Sequence, residues 1–162
     1  MLMRRYLPAD DLNAVHALLC RTFAYMEGRI DPPSSLAHLD VDALRVLAAT
    51  SEIWVISERS YPIACMILTP QPDALYLGKL AVDAGHRGQG LAGKMVAHAE
   101  SRAITLGLPR LRLQTRLELV ENHATFANLG FVITAQTAHP GYDRPTSLTM
   151  ERLVPIPLED AP

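Results

Sequence analysis

Hydrophobic residues recur every three or four positions in four stretches of the chain, and this spacing predicts four helices. In the first stretch Val15, Leu18 and Leu19 share one face, Asp10 is the predicted N-cap and Gly28 ends the helix. The second stretch follows a proline-rich segment and is predicted as one helix or two shorter pieces. The predicted helices cover residues 12–27, 36–49, 90–106 and 121–129.

Short apolar or alternating segments between these helices predict seven strands. They cover residues 2–7, 53–57, 62–69, 74–82, 111–115, 131–137 and 147–153. A long helix joins the fourth strand to the fifth, which favours a parallel pair there, whereas short turns favour antiparallel pairing elsewhere. We therefore predict an α/β fold with a mixed, mostly antiparallel sheet of about seven strands and four helices.

Length and composition narrow the class of protein. The 162 residues favour one domain at residues 1–154, with a frayed proline-containing tail at 155–162. A hydrophobic content of 49% and a net charge of −2 argue against disorder, a nucleic-acid partner or a basic membrane-binding surface. No apolar stretch is long enough to span a membrane, and acidic residues soon follow the N-terminus, so we expect a cytoplasmic protein. Cys20 and Cys65 are expected to be buried reduced thiols, and no metal site is predicted.

A glycine-rich loop at residues 83–94 follows the fourth strand and opens the third helix. The first turn of a helix has unpaired N–H groups and a partial positive charge, which favour a phosphate. Gly88 and Gly90 would let the backbone approach that anion, and Arg87 and Lys94 could add charge. The loop lacks the P-loop signature. It matches the dinucleotide GxGxxG spacing only formally, because the expected acidic residue does not follow.

The segment Arg87-x-x-Gly90-x-Ala92 resembles the pyrophosphate-binding motif of the GNAT superfamily of acetyl-CoA-dependent N-acetyltransferases. Leu-Ala-Val at residues 80–82 is similar to the strand that pairs with the pantetheine arm in that family. The Asn-to-Phe segment at residues 122–131 resembles the second cofactor segment and lies about 35 residues beyond the first motif. The element order also agrees, so the resemblance covers nearly the whole chain and extends to a small bacterial branch.

The resemblance implies acetyl-CoA as the donor and an amine as the acceptor. Backbone groups of strand four would bind the pantetheine amides, the loop N–H groups would bind pyrophosphate, and Phe126 would flank the thioester. Core packing alone could also explain the apolar members of this set. The implied cofactor-binding residues are Leu80, Ala81, Val82, Arg87, Gly88, Gln89, Gly90, Leu91, Ala92, Gly93, Asn122 and Phe126.

The catalytic groups are less evident, because many family members carry a tyrosine acid where this chain has Phe126. Tyr142 is the first substitute for that acid, followed by His139 and His123; Glu118 is a candidate base, as is Glu121. The backbone N–H of Leu80 could polarise the thioester carbonyl. Two loops, residues 27–35 and 139–146, are predicted to build the acceptor pocket, where Glu27, Asp31 and Asp143 could attract a cationic amine.

The leading hypothesis is an N-acetyltransferase for a small or amino-acid-like primary amine. A protein or peptide N-acetyltransferase is an alternative that would need an open groove. A non-catalytic acyl-CoA-binding sensor is a third reading, supported by the phenylalanine at position 126. The resemblance also favours a homodimer, although the sequence reveals no interface and does not identify the acceptor.

Overall fold

The structure, a computed structural model, describes residues 1–155. The seven strands are β1 Leu2–Tyr6, β2 Glu52–Glu58, β3 Tyr61–Pro70, β4 Leu75–Val82, β5 Arg110–Arg116, β6 Val132–Thr137 and β7 Ser147–Leu153. The four α-helices are α1 Leu12–Phe23, α2 Val41–Thr50, α3 Leu91–Leu106 and α4 Val120–Asn128. Single 3-10 turns lie at Ala24–Met26, Ser35–His38 and Ala84–His86.

The strands form one sheet in the order β1-β2-β3-β4-β5-β7-β6. Among the strands of residues 1–155, β4 and β5 run parallel and every other neighbouring pair is antiparallel. The prediction of a mixed, mostly antiparallel sheet with one parallel junction is therefore confirmed. The junction lies near the middle of the sheet, with three further strands beyond β4 and two beyond β5.

Helices cover both faces of the sheet. On one face α1 and α2 bury Leu18, Leu19 and Leu44 against β2 and β3. On the other face α3 buries Leu91 and Met95, with α4 packed beside it. Each fully buried leucine contributes roughly 1.5–3 kcal/mol relative to an exposed one, so these two layers hold the central strands rigidly.

The first helix differs from its prediction at both ends. Its N-cap is Asp11, which accepts a hydrogen bond from the N–H of Ala14 at 3.4 Å. Asp10 was the wrong choice because its carboxylate accepts instead from the N–H of Leu7 at 2.6 Å and from Arg4 at 2.9 Å. The α-helix ends at Phe23 and a 3-10 turn replaces its predicted last turn.

The two cysteines lie in different environments. Cys65 is fully buried, and burial raises the pKa of its thiol to about 12. The expectation that Cys20 is buried was wrong, because this residue faces solvent on α1, one turn after His16. None of the helices within residues 1–155 combines the length and the apolarity needed to cross a bilayer. Apart from Pro155, the predicted C-terminal tail lies outside the described residues.

Candidate active site

A gap opens in the sheet between β4 and β5. The two strands pair only at Leu75 with Leu111 and at Tyr76 with Arg112, and then they diverge. Beyond that point the backbone of β4 remains paired with β3 but has no strand of the described residues 1–155 on its other side. Backbone amide and carbonyl groups along this free edge need partners. The gap can therefore accept an extended, amide-containing ligand such as a pantetheine arm.

A bulge interrupts β4 inside this gap. Cys65 on β3 pairs with Ala81, but Ile67 pairs with Gly78, so one residue of β3 faces two of β4. Lys79 occupies the bulge with a φ of 50°, a left-handed conformation that is uncommon outside glycine. The bulge re-aims the Lys79 side chain, whose Nζ donates to Oγ of Ser35 at 2.9 Å.

The glycine-rich loop lies at the end of β4 and supplies an anion site. Gly88 and Gly90 have φ values of 79° and 76°, which glycine adopts without steric cost. Gly90 is the N-cap of α3 and has no side chain to cap the first turn. The N–H groups of the first turn therefore point outward unpaired, together with the positive end of the helix dipole. This arrangement fits the pyrophosphate of coenzyme A.

A cluster of charged side chains anchors the start of that loop. His86 contacts Asp83 through Nδ1 at 3.0 Å and Glu58 through Nε2 at 2.8 Å. Hydrogen bonds to these carboxylates, first Asp83 and then Glu58, raise the pKa of His86. Arg21 of α1 donates to the other oxygen of Asp83 at 2.9 Å and is the main cause of that carboxyl's lowered pKa. The cluster ties the loop to both α1 and the β2–β3 hairpin.

The gap and the loop belong to one cavity of about 1310 Å³. The predicted cofactor residues that line it are Leu80, Ala81, Val82, Arg87, Gly88, Gly90, Leu91, Ala92, Gly93, Asn122 and Phe126. Gln89 is exposed and is not among the lining residues. The predicted set is thus gathered along one continuous surface, although the contact of each residue with coenzyme A stays a prediction.

Helix α4 forms the far wall of the cavity. Nδ2 of Asn122 donates to the phenol oxygen of Tyr25 at 3.1 Å, which joins α4 to the turn after α1. Arg29 and Glu121 make a two-point ion pair across the same junction, at 2.7 and 3.1 Å. Phe126 is half-buried and packs edge to face on Phe131, with ring centroids 6.0 Å apart. Tyr25 is a candidate site residue that sequence reasoning missed, because its partner lies 97 positions away.

The two predicted acceptor loops meet at the other end of the cavity. The Tyr142 hydroxyl donates to Oδ1 of Asp31 at 2.6 Å, and Arg144 donates to Oδ2 at 3.1 Å. His139 lines the cavity, and its Nδ1 contacts the hydroxyl of buried Thr146. Burial, followed by repulsion from the Arg116 guanidinium, lowers the pKa of His139. Its imidazole is therefore neutral at neutral pH and able to accept a proton.

Two other predicted candidates make contacts that hold the structure. Oε2 of Glu118 accepts from the N–H of Asp31 at 2.8 Å, and Glu118 is not among the residues that line the cavity. Nε2 of His123 contacts the carbonyl oxygen of Arg116 at 2.9 Å. Both side chains stabilise the loops around the cavity. Neither lines the cavity, whereas Tyr142 and His139 do.

A parallel strand pair that splays apart beside a helix N-terminus without a side-chain cap can hold the pantetheine arm and the pyrophosphate of coenzyme A together. Residues 12–131 match the model of the Acetyltransferase (GNAT) family. This match covers well over half of the chain. The protein therefore belongs to the GNAT family of acetyltransferases, which use acetyl-CoA, and its predicted family resemblance is confirmed.

Solved structures show the same fold at low sequence identity. Aminoglycoside 6'-acetyltransferase type Ii superposes with a TM-score of 0.73 and 17% identity, over 95% of this chain and 97% of that one. The ribosomal-protein-S18-alanine N-acetyltransferase from Escherichia coli gives 0.70 and 17%, over 99% and 98%. A GNAT family acetyltransferase from Elizabethkingia anophelis with acetyl-CoA bound gives 0.66 and 14%, over 94% and 97%. No curated protein sequence matches the chain.

Proposed function

We propose that this acetyltransferase moves the acetyl group of acetyl-CoA to a primary amine of a small molecule by direct attack. One observation carries the choice of acceptor: the Tyr142–Asp31 hydrogen bond of 2.6 Å bridges the two loops over the end of the cavity. Arg116 reinforces this closure, because its guanidinium donates to the carbonyls of Pro32 and Pro33 at 2.8 and 3.2 Å. Two loops held together in this way leave less room for a protein segment than for a small acceptor.

The structural relatives do not distinguish a small-molecule acceptor from a protein acceptor. One acts on aminoglycosides and another on the alanine of a ribosomal protein, at the same 17% identity to this chain. The contact between the two loops is therefore the discriminating feature. A peptide substrate would require Tyr142 and Asp31 to separate, whereas a small amine would not.

The chemistry needs a base for the incoming amine and an acid for the leaving thiolate. His139 is the proposed base, because its neutral imidazole lines the cavity and Nδ1 is oriented by Thr146. The N–H of Leu80 is proposed to polarise the thioester carbonyl, which supports the developing oxyanion. The amine nitrogen forms the new amide bond, the C–S bond breaks, and coenzyme A leaves as the thiol.

Two tyrosines are candidates for the acid. The hydroxyl hydrogen of Tyr142 is donated to Asp31, which is the first cause of that phenol's raised pKa. Tyr25 accepts from Asn122, and within residues 1–155 its own hydroxyl hydrogen has no acceptor. We therefore favour Tyr25 as the proton donor and Tyr142 as the residue that holds the acceptor chamber closed.

The test is release of free thiol from acetyl-CoA across a panel of small primary amines, with a mixture of protein N-terminal peptides as the comparison. Turnover with small amines and background rates with peptides would support the proposal. Peptide turnover alone would favour a protein acetyltransferase. If the purified protein binds coenzyme A but thiol is released at background rates with both panels, the hypothesis of a non-catalytic sensor is correct.

A homodimer is also part of the proposal. Edge strand β6 is exposed at every position and carries the apolar side chains Val132 and Ile133, which are 64% and 56% exposed. Exposed edges of this kind are natural surfaces for strand pairing. Light scattering at several protein concentrations measures the mass directly, and a monomer at all of them would refute the dimer. We further propose a cytoplasmic location.

A further inference from the structure

The acceptor end of the cavity is lined by two cations that have no carboxylate partner. Lys79 and Arg116 both line the cavity, and neither forms an ion pair with another residue of the described chain, 1–155. They are close enough for the charge of Arg116 to lower the pKa of Lys79, after the larger effect of burial. Two like charges in a half-buried cavity repel each other, and an anion bound between them offsets that repulsion.

Two of the three neighbouring carboxylates are already paired with cations. Glu121 is paired with Arg29 through both oxygens, and Asp31 with Arg144 and the Tyr142 hydroxyl. Glu118 interacts favourably with the Arg116 charge but does not line the cavity. One of its oxygens accepts from a backbone N–H, and the other is buried with no hydrogen-bond partner within residues 1–155. Glu118 therefore offsets one of the two charges, Lys79 and Arg116. The excess charge at the acceptor end is therefore positive.

This charge distribution differs from the sequence-based expectation. Glu27, Asp31 and Asp143 were expected to attract a cationic amine, yet none of the three lines the cavity. The charged groups at the acceptor end of the cavity wall that lack an ion-pair partner within residues 1–155 are cationic instead, namely Lys79 and Arg116. An amine whose only charge is its own ammonium group would be repelled here.

Both cations keep donors in reserve. A lysine ammonium has three N–H donors, and Lys79 uses one of them on Ser35. An arginine guanidinium has five, and Arg116 uses two on the carbonyls of Pro32 and Pro33. Those contacts fix the two side chains in place, so the spare donors are oriented before any ligand arrives. Charged donors that are fixed in advance bind a carboxylate strongly, because little side-chain freedom is lost on binding.

We propose that the acceptor is an amino carboxylate, a free amino acid or a close analogue, whose carboxylate is bound between Lys79 and Arg116. The inference rests on the proposed function and specifies its substrate class. The carboxylate anchors one end of the molecule, and the amine end is directed towards the thioester near Leu80, the residue that follows Lys79. The closed loops then limit the size of the side chain that is accepted.

The first test needs no variant. Leucine and phenylalanine are each compared with the amide, leucinamide or phenylalaninamide, and with the amine that lacks the carboxylate, isopentylamine or phenethylamine. We expect kcat/KM for the amino acid to exceed that of both compounds without the carboxylate by about ten- to a hundredfold, the usual effect of a charge-assisted hydrogen bond. Equal or better use of the amides and amines would overturn the inference and leave the proposed function intact.

The second test replaces Lys79 by methionine, which has a similar length and no charge. Lysine and methionine are both unbranched at Cβ and pay a similar cost at a φ of 50°, so the substitution adds no strain to the bulge. We expect KM for the amino acid to rise about ten- to a hundredfold, with KM for acetyl-CoA unchanged. Lys79→Arg should retain most of the affinity. Arg45→Met on α2, whose partners are Asp42 and the Pro8 carbonyl, is the matched control and should change nothing.

Three results would contradict the assignment. A rise in the KM for acetyl-CoA in Lys79→Met would mean that the Lys79 ammonium binds the cofactor and not the acceptor. An equal loss with amino acid and amide would show a general effect on the chamber. Background turnover with every amine, while coenzyme A still binds, would overturn the proposed function itself and so is distinguishable from the other two.

Discussion

The hydroxyl of Tyr142 donates to Oδ1 of Asp31 over 2.6 Å, although the two residues are 111 positions apart in the sequence. Tyr142 lies in the loop between β6 and β7, and Asp31 lies between α1 and α2. Their bond joins segments on opposite sides of the sheet's central gap. The acceptor chamber is therefore formed by loop contacts, while the cofactor surface is formed by β4 and the start of α3.

Replacing Tyr142 by phenylalanine removes this bond and keeps the ring. We expect KM for the acceptor to rise several-fold, because the loops then close less often, with kcat little changed and acetyl-CoA KM unaffected. Steady-state kinetics with each substrate varied in turn measures this. A fall in kcat of a hundredfold or more, without a change in acceptor KM, would instead identify Tyr142 as the acid.

Tyr25→Phe is the companion variant and should behave oppositely. Its phenol is held by Asn122 and is the favoured proton donor, so we expect kcat to fall by roughly ten- to a hundredfold. Acceptor KM should stay within about twofold of the parent. Because a better leaving group needs no acid, an activated acetyl thioester with a thiophenol leaving group should restore the rate in Tyr25→Phe. Failure of that rescue would contradict the assignment.

The pH dependence of the reaction tests His139. Burial and the Arg116 charge lower the pKa of this imidazole from its ordinary value of about 6.5. The base therefore loses its proton at a lower pH than a free histidine does. In the pH profile of kcat/KM, the acidic limb should therefore have its midpoint below pH 6.5. In His139→Gln this limb should disappear and the rate should drop about a hundredfold. His38→Gln, at an exposed position outside the cavity, is the control. An unchanged limb in His139→Gln would exclude His139 as the base.

Gly90→Val tests the anion site at the start of α3. A β-branched residue at φ 76° costs roughly 1–2 kcal/mol or more and tilts the first-turn N–H groups away from the phosphate. We expect coenzyme A binding to be lost while the far-ultraviolet circular dichroism is retained. Gly107→Val, at the other end of the same helix with φ 71°, imposes similar strain away from the loop and should leave binding intact. Unchanged affinity in Gly90→Val would refute the pyrophosphate assignment.

The sequence predicts the cofactor side of the site well, for a physical reason. The anion site depends on consecutive residues, since a strand end, a glycine loop and a helix start are all local features. Hydrophobic periodicity likewise locates α3 within one residue, because its buried face includes Leu91, Met95 and Ala99. The parallel pair follows from the length of the helix that joins β4 to β5.

The acceptor side could not be predicted in this way. The direction of Lys79 depends on a bulge, and the bulge arises from the register of β3 against β4, which composition does not reveal. Arg116 and Tyr25 owe their positions to partners more than 80 residues away. The sequence identified Asp31 as a charge near the acceptor, but only the fold shows that Arg144 neutralises it.

Away from the cavity, a buried ion pair between Glu52 on β2 and Arg102 on α3 should control stability. Arg102 donates to both carboxylate oxygens at 2.8 Å, and the indole of Trp54 donates to one of them at 2.9 Å. Only 8% of the Glu52 side chain is exposed. Arg102→Met would leave that carboxylate buried and without its cation, so we expect a loss of about 2–4 kcal/mol in the free energy of unfolding.

The pH dependence distinguishes this loss of charge from a loss of packing. Arg102, and then Trp54, lower the pKa of Glu52, so the pair stabilises the fold above the unfolded value of about 4.3 and ceases to do so as pH falls through the lower folded value. Urea unfolding of parent and Arg102→Met should therefore differ most above pH 5 and converge in acid. Arg45→Met, which removes an exposed ion pair with Asp42, should cost less than about 0.5 kcal/mol. A gap between parent and Arg102→Met that is constant with pH would mean that the arginine acts through its packed stem, and the ionic account of this cluster would be wrong.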